Sequence, residues 1–427
     1  MQDLQGDNMS NESTELPTLL RESSLGDAEI QENPWAYYQV MHQEGFYFDE
    51  HLQMFICANY TLMREIMRNT AVFSNVASQE VSRMRTPPPE VVEITKSSLR
   101  EYEILVASDP PKHKRVRKML DPPFRPRAID GWRDQILEII NNEIDKFGAA
   151  SEFEAVSEFA VPVPITVIAD ILGIDRKHSA TIKAWSDASV EPLGMMISDE
   201  RWIECAQLTR EFQNFMIKEF TDRQTEPRDD LLTHMVQVQD PEGEGMSLPE
   251  MLGSVQQLLV AGNETTTNGI AAGIQLLAEN PKQQTLLRDN PDRMYTFVNE
   301  TLRLESPVQG LFRVVKVDTE VNGIKVPQGS RIMLRYAAAN RDAQKYQDPD
   351  ELDVFRANAG TQVGFGAGIH HCIGANLARE EMFQSFTELL RRTRNIRLKP
   401  GMNDFSHHPS LILRGLKSLI VEFDPPK

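Results

Sequence analysis

Cysteine is scarce in this chain: Cys57, Cys205 and Cys372 are the three among 427 residues, and they lie far apart. So sparse a set excludes a disulfide framework and fits a reducing compartment. No apolar run approaches the roughly 18 residues that a membrane span requires. The most apolar run, Ala160 to Ile174, contains Pro162, Pro164 and Asp170 and reads as core. The start, Met1-Gln2-Asp3-Leu4, lacks both the basic end and the apolar stretch of a signal peptide, so a soluble, cytoplasmic protein is expected. Positive charge is in deficit, 45 Lys and Arg against 63 Asp and Glu, and the net charge of −18 disfavours nonspecific nucleic-acid binding. No Pro/Gly/Ser-rich linker and no internal repeat divides the sequence. One large domain over residues 31–427 is therefore expected, behind a polar, mobile tail of residues 1–30.

What is present is mostly helical patterning with short strands between. A helix over Ala36–His42 leads into alternating runs at Phe46-Tyr47-Phe48 and Gln53–Ile56. Residues 78–107, with Pro87-Pro88-Pro89, read as a long irregular stretch, and loops of that length are usually functional or disordered. Trp132, Ile136, Ile139, Ile140 and Ile144 recur at helical spacing within Asp130–Phe147. Two more helical patterns fill 176–222, broken near Glu191-Pro192-Leu193-Gly194, with Met195 and Met196 beside the break. Ser247-Leu248-Pro249-Glu250 is a capping-box start, and the helix it opens runs to Asn280 and stops at Pro281. Alternation from Val326 to Tyr336 around Pro327-Gln328-Gly329-Ser330 marks a hairpin. The fold class is mainly α with small β-sheets.

Chemistry concentrates in Phe365-Gly366-Ala367-Gly368-Ile369-His370-His371-Cys372-Ile373-Gly374, three glycines around one sulfur just ahead of a helical pattern. Amide N–H groups and the helix dipole at such a position lower a thiol pKa and temper thiolate charge, as an axial ligand to haem iron requires. An inert buried cysteine in a glycine-rich turn is the plainer reading. Zinc is disfavoured, because His370, His371 and Cys372 diverge and the CxxC or HxxxH spacing of a four-ligand site is missing. In the long helix, Ala261-Gly262-Asn263-Glu264-Thr265-Thr266-Thr267 gathers poor helix formers, a local break of rule of the kind found at functional sites. His113 and Arg117 share a helix face inside the basic run Lys112–Lys118. A solvated basic face explains that spacing equally well.

Taken together these motifs resemble the haem-thiolate cytochrome P-450 monooxygenases, whose ligand loop reads Phe-Gly-x-Gly-x-His-x-Cys-x-Gly and whose central helix carries Ala-Gly-x-[Asp/Glu]-Thr. The resemblance runs from about residue 35 to the end. It implies a helix-rich triangular single domain with haem b between the long central helix and the helix after the Cys loop. Cys372 would be the iron ligand, within the loop formed by Phe365, Gly366 and Gly374. His113, Arg117, Arg313 and His370 would hold the propionates, and Ala261 and Gly262 would leave room for dioxygen. Thr265 would hydrogen-bond that oxygen while Glu264 relays protons. Glu300, Arg303 and Arg356 would form the family's buried structural triad.

Leu258, Ala261, Val308, Leu311 and Ile412 would face an apolar small molecule. The lid would come from the 176–222 helices, and the last hairpin, Pro409–Leu416, would reach the substrate. Substrate classes left open are terpenoids, steroids, fatty acids and alkyl-aromatics. Electrons would arrive from NAD(P)H by a ferredoxin reductase and an iron–sulfur ferredoxin, docked on Lys112, Lys114, Arg115, Lys118, Arg125 and Arg127 of a monomer. A peroxygenase or isomerase on the same scaffold, or a haem-based ligand sensor, is the competing expectation.

Overall fold

The computed structural model describes residues 16–76, 86–96, 104–194 and 196–424. Its organising element is a 32-residue helix, Leu248–Glu279, about 48 Å long at 1.5 Å per residue. The capping box at its start is complete: the Ser247 hydroxyl accepts from the Glu250 N–H, and the Glu250 carboxylate accepts from the Ser247 N–H at 2.9 Å. The helix is continuous through Ala261–Thr267, although Gly262, Asn263, Thr265, Thr266 and Thr267 individually disfavour it. Tertiary packing overrides propensity here, because Asn263, Thr266 and Thr267 are buried against neighbouring helices.

Against this helix lies a second, Ala375–Arg392, which begins directly after the cysteine loop. Their contact is unusually close at Gly273, where an added Cβ would stand 2.1 Å from the Phe386 ring. Only glycine fits there, despite the cost of about 0.5–1 kcal/mol that it brings to a helix interior. The helices Ser179–Val190 and Asp199–Thr225 pack together, separated by the 3-10 turn Glu191–Gly194 as the sequence indicates. The helix expected over Asp130–Phe147 is two, Pro126–Asp130 and Arg133–Phe147, because the chain turns at Gly131-Trp132.

Among the described residues ten strands, β1 (Phe46–Asp49), β2 (Met54–Cys57), β3 (Phe73–Ser74), β4 (Glu152–Glu154), β5 (Leu311–Val315), β6 (Thr319–Val321), β7 (Ile324–Val326), β8 (Arg331–Leu334), β9 (Arg394–Leu398) and β10 (Ile420–Asp424), form three sheets. The largest has the order β1-β2-β8-β5-β3, with β2 and β8 parallel; the others are β4-β10-β9 and β6-β7. The hairpin expected around Pro327–Ser330 lies elsewhere. Asn322 and Gly323, both at positive φ, close the β6–β7 hairpin, while the Pro327–Ser330 turn hands the chain to β8 in the large sheet.

Two further expectations are revised. The tail stops short of residue 30: Thr18–Glu22 and Ala28–Glu32 are helical, and Leu20 and Leu25 bury against Tyr37, Tyr38 and Met54. Leucines that pair with nothing in sequence find partners across β1 and β2. Within 78–107, Pro89–Lys96 is a helix and Leu105–Ala107 a 3-10 turn, while residues 77–85 and 97–103 lie outside the described residues, as do residues 1–15 of the tail. No helix among the described residues is long and apolar enough to cross a membrane.

Behind the central helix, Glu300, Arg303 and Arg356 form one closed network. Glu300 takes Arg303 Nε at 2.7 Å on one oxygen and Arg356 Nε at 3.0 Å on the other. The remaining guanidinium donors reach the backbone oxygens of Asn340, Gln347, Asp348, Pro349 and Glu351. Glu300 and Arg303 are wholly excluded from solvent, and the network ties the helix Met294–Leu304 to the loop that leads toward the cysteine.

Candidate active site

Between the central helix and the cysteine loop lies a cavity with about 1380 Å³ of space free of protein atoms, part of it open to solvent. Residues singled out in the sequence that reach its wall include Leu258, Ala261, Gly262 and Thr265 from the central helix, Val308, Leu311 and Arg313 around β5, Phe365, Gly366, His370, Cys372 and Gly374 from the loop, and His113. Arg117 lines it as well.

The loop owes its shape to glycines at positive φ, Gly366 at 69° and Gly368 at 71°. At Gly368 a Cβ would meet the Met67 carbonyl oxygen at 3.1 Å, so the loop lies directly on the helix Tyr60–Arg68. The Cys372 N–H donates to Phe365 O at 2.9 Å and closes the turn, and Gly374 caps the following helix. Burial pushes the Cys372 thiol pKa up, ahead of the opposing pull of the Gly374 and Ala375 amides, Arg117 and Arg379. The amides expected from the sequence are there, but for a bare thiol desolvation outweighs them. Coordination to a metal ion deprotonates such a thiol outright.

One end of the cavity is cationic. The His113 and His370 rings stand 4.1 Å apart, and the Nε2 atom of each is buried with no partner among the described residues. Arg117 donates to His371 O at 2.7 Å, and Arg313 is buried beside Tyr336. Burial first, then these neighbouring cations, lower the pKa of both imidazoles, that of His370 to about 3. Orphaned buried donors crowded beside two guanidiniums call for an anionic group. Haem, with its carboxylates at one edge and a flat apolar body, would fit this lining, with Cys372 available to hold its iron.

On the opposite wall, Thr265 Oγ1 donates to Ala261 O at 2.7 Å, four residues back in the helix. Glu264 points away from the cavity. Its Oε1 accepts from Asn263 at 3.0 Å, Ser186 at 3.2 Å and Lys183 at 3.3 Å, and Lys183 is also paired with Asp187. Burial raises the Glu264 pKa to about 7 against the pull of Lys183, with Asp187 adding to the rise. Sequence reasoning missed Lys183, Ser186 and Asp187, which approach from a helix some eighty positions earlier.

It also missed Glu381, which lines the cavity fully buried, with Oε2 unpartnered among the described residues. Burial holds its pKa well above the usual carboxyl range. A carboxylate at helical spacing between Leu377 and Ser385 was the available signal.

Ile412 is the misplaced pocket residue. It packs with Tyr38, Phe312 and Met333 in the amino-terminal core, its carbonyl accepting from the Gln309 N–H at 2.8 Å. Pairing of Val308 with Leu413 sets that register and turns Ile412 away. Among the described residues, neither the last hairpin nor the helices of 176–222 contribute to the wall; Met196 does not, and Met195 lies outside the description.

The basic run divides too. Arg115 is committed internally, to Asp240 at 2.7 Å, Glu250 at 2.8 Å and Gly245 O at 2.7 Å. Lys114, Lys118, Arg125 and Arg127 are exposed.

With this geometry in hand, comparison with known proteins is direct. A model of the family described as Cytochrome P-450 matches residues 192–415. Cytochrome P-450 107B1 of Saccharopolyspora erythraea is 34% identical over 318 residues, 74% of this chain and 76% of that one. The 6-deoxyerythronolide B hydroxylase of the same organism is 33% identical over 317 residues, 74% and 77% of the two chains. The solved structure of cytochrome P-450 CYP109Q5 from Chondromyces apiculatus shares 28% identity and a TM-score of 0.83 over 94% of this chain and 98% of that one. The chain belongs to the cytochrome P-450 family, and it is a haem b oxidoreductase of the monooxygenase type.

Proposed function

We propose that this monooxygenase hydroxylates or epoxidises an apolar small molecule held beneath Leu258, Ala261, Val308 and Leu311. Cys372 would hold the haem iron through its thiolate, His113, Arg117, Arg313 and His370 would hold the haem carboxylates, and Ala261 and Gly262 would leave room for dioxygen. The observation that carries the reading is the opposition of Cys372 to the Thr265–Ala261 turn across a single cavity with one cationic end. Haem supplies the iron at which dioxygen is reduced and its O–O bond broken.

The chain's own part is positioning and proton supply. Thr265 Oγ1 holds a proton at the cavity wall, and Glu264, ionising near neutrality, replenishes it. Lys183 and Asp187, each more than a quarter exposed, connect Glu264 to water. Electrons come from NAD(P)H through a ferredoxin and its reductase, with the exposed cations Lys114, Lys118, Arg125 and Arg127 as the docking face for an acidic carrier. The protein acts in the cytoplasm as a monomer.

Thr265→Ala tests the relay: electron consumption continues while product per NAD(P)H falls by an order of magnitude or more, within the range of about 10²–10⁴ for general acid–base catalysis. Unaltered coupling would overturn it.

A further inference from the structure

Of the polar groups in the cavity wall, Thr265 Oγ1 is bound to Ala261 O and Asn75 Nδ2 to Val106 O, while Gln257 sits among the apolar side chains of Leu105, Leu258, Ala261, Val308 and Leu311. Gln257 lies four positions before Ala261, on the same helix face and about 6 Å along the axis at 1.5 Å per residue. Its side chain is held in a fixed sense. Oε1 accepts from the Val106 N–H at 3.2 Å, and since only the carbonyl oxygen can accept from an N–H, the amide nitrogen is the end left over. Val106 is itself clamped on its other side, its carbonyl accepting from Asn75 Nδ2 at 2.9 Å, while the Asn75 N–H is bound to Asp109. Two side-chain amides thus satisfy both backbone polar groups of one residue. Gln257 Nε2 has no partner among the described residues, though its residue faces an apolar chamber where an unmade hydrogen bond is costly.

We infer that Gln257 is a specificity-determining residue whose free amide N–H donates to an oxygen of the substrate. The substrate class is accordingly narrowed from apolar molecules in general to oxygenated lipophiles, bearing a carbonyl or hydroxyl about one helical turn from the carbon that is oxidised. Binding through that donor fixes which C–H bond faces the Ala261–Thr265 turn, so the same contact sets regioselectivity. An apolar analogue lacking the oxygen leaves the donor unpaired and is rejected for that reason as much as for a lost attraction. The inference rests on the reading that this stretch of helix overlooks the reacting position.

The test uses the haem-loaded protein and two iron-binding probes of nearly equal size, 1-(4-acetylphenyl)imidazole and 1-(4-ethylphenyl)imidazole. Binding is read from the shift of the haem absorption band, without turnover. Gln257→Leu removes the donor. Gln257→Glu keeps an oxygen for Val106 but offers the ligand no N–H. The ratio of acetyl to ethyl affinity is expected to fall roughly three- to tenfold from the native protein to either variant, the span of one net hydrogen bond. A ratio that stays constant, with both probes weakened equally, would mean that Gln257 only braces Val106, and the inference would be overturned. The ferrous carbonyl spectrum of the same native sample judges the site reading separately. A thiolate-type spectrum with an unchanged ratio overturns the inference alone, whereas a spectrum of imidazole-ligated type removes the site reading and the inference together.

Discussion

Two clusters of buried charge flank the central helix, and they are built on opposite plans. In the Glu300–Arg303–Arg356 network one carboxylate meets two guanidiniums, and the spare donors end on backbone carbonyls, so no proton has anywhere to go. Around Glu264, one lysine is shared by two carboxylates, a serine hydroxyl completes the ring, and the outer members touch solvent. The first cluster is saturated and therefore rigid. The second is one cation short, and burial, with Asp187 adding to it against the pull of Lys183, raises the Glu264 pKa to about 7.

The comparison is broken most severely at Glu300. Glu300→Gln strands two buried guanidiniums without a counter-charge and should cost about 3–5 kcal/mol, read as a lower denaturation midpoint and loss of haem on purification. Stability equal to the native protein would mean that the carbonyls alone satisfy the arginines.

Glu264→Gln should act in the reverse sense. Product formation falls roughly ten- to a hundredfold, the lower part of the range for a lost proton donor, while thermal stability at pH 7 is retained or improved. The sign follows from linkage. A carboxyl raised from 4.5 to about 7 binds more protons folded than unfolded over that interval, so native stability declines as pH rises from about 4.5 to 7. The glutamine variant should lose that slope, and parallel stability–pH curves for the two proteins would remove Glu264 as its source.

The mildest effect separates the basic residues. Lys118→Glu should weaken ferredoxin-supported turnover a few-fold at low salt and little at high salt, by screening of an exposed charge. Arg115→Glu should instead lower stability at any salt, because it opposes Asp240 and Glu250. Identical salt profiles for the two would merge what the structure separates.

Local signals carried much of this into the sequence. The capping box and the Glu-x-x-Arg spacing each involve residues within four positions and the Gly-rich loop residues within ten, so the fold class, the placing of Cys372 and Thr265 on one cavity and the Glu300–Arg303 pair were legible. What needed three dimensions was missed: Lys183 and Asp187 meet Glu264 from a distant helix, and Arg115 proves to be an internal strut. Ile412 failed for a subtler reason, since it lies in an irregular stretch beside the isolated Val308–Leu413 bridge, where no repeating strand pattern in the sequence tells which way a side chain faces. The β6–β7 hairpin was an avoidable miss, because Asn322-Gly323 is itself a strong turn signal.

The Gly273–Phe386 contact reaches beyond local packing. A phenyl ring seated against bare backbone acts as a mechanical stop between the helix bearing Thr265 and the helix that starts beside Cys372. The two jaws are thus gauged by the polypeptide before any prosthetic group enters, and a single methyl at position 273 would prise them apart.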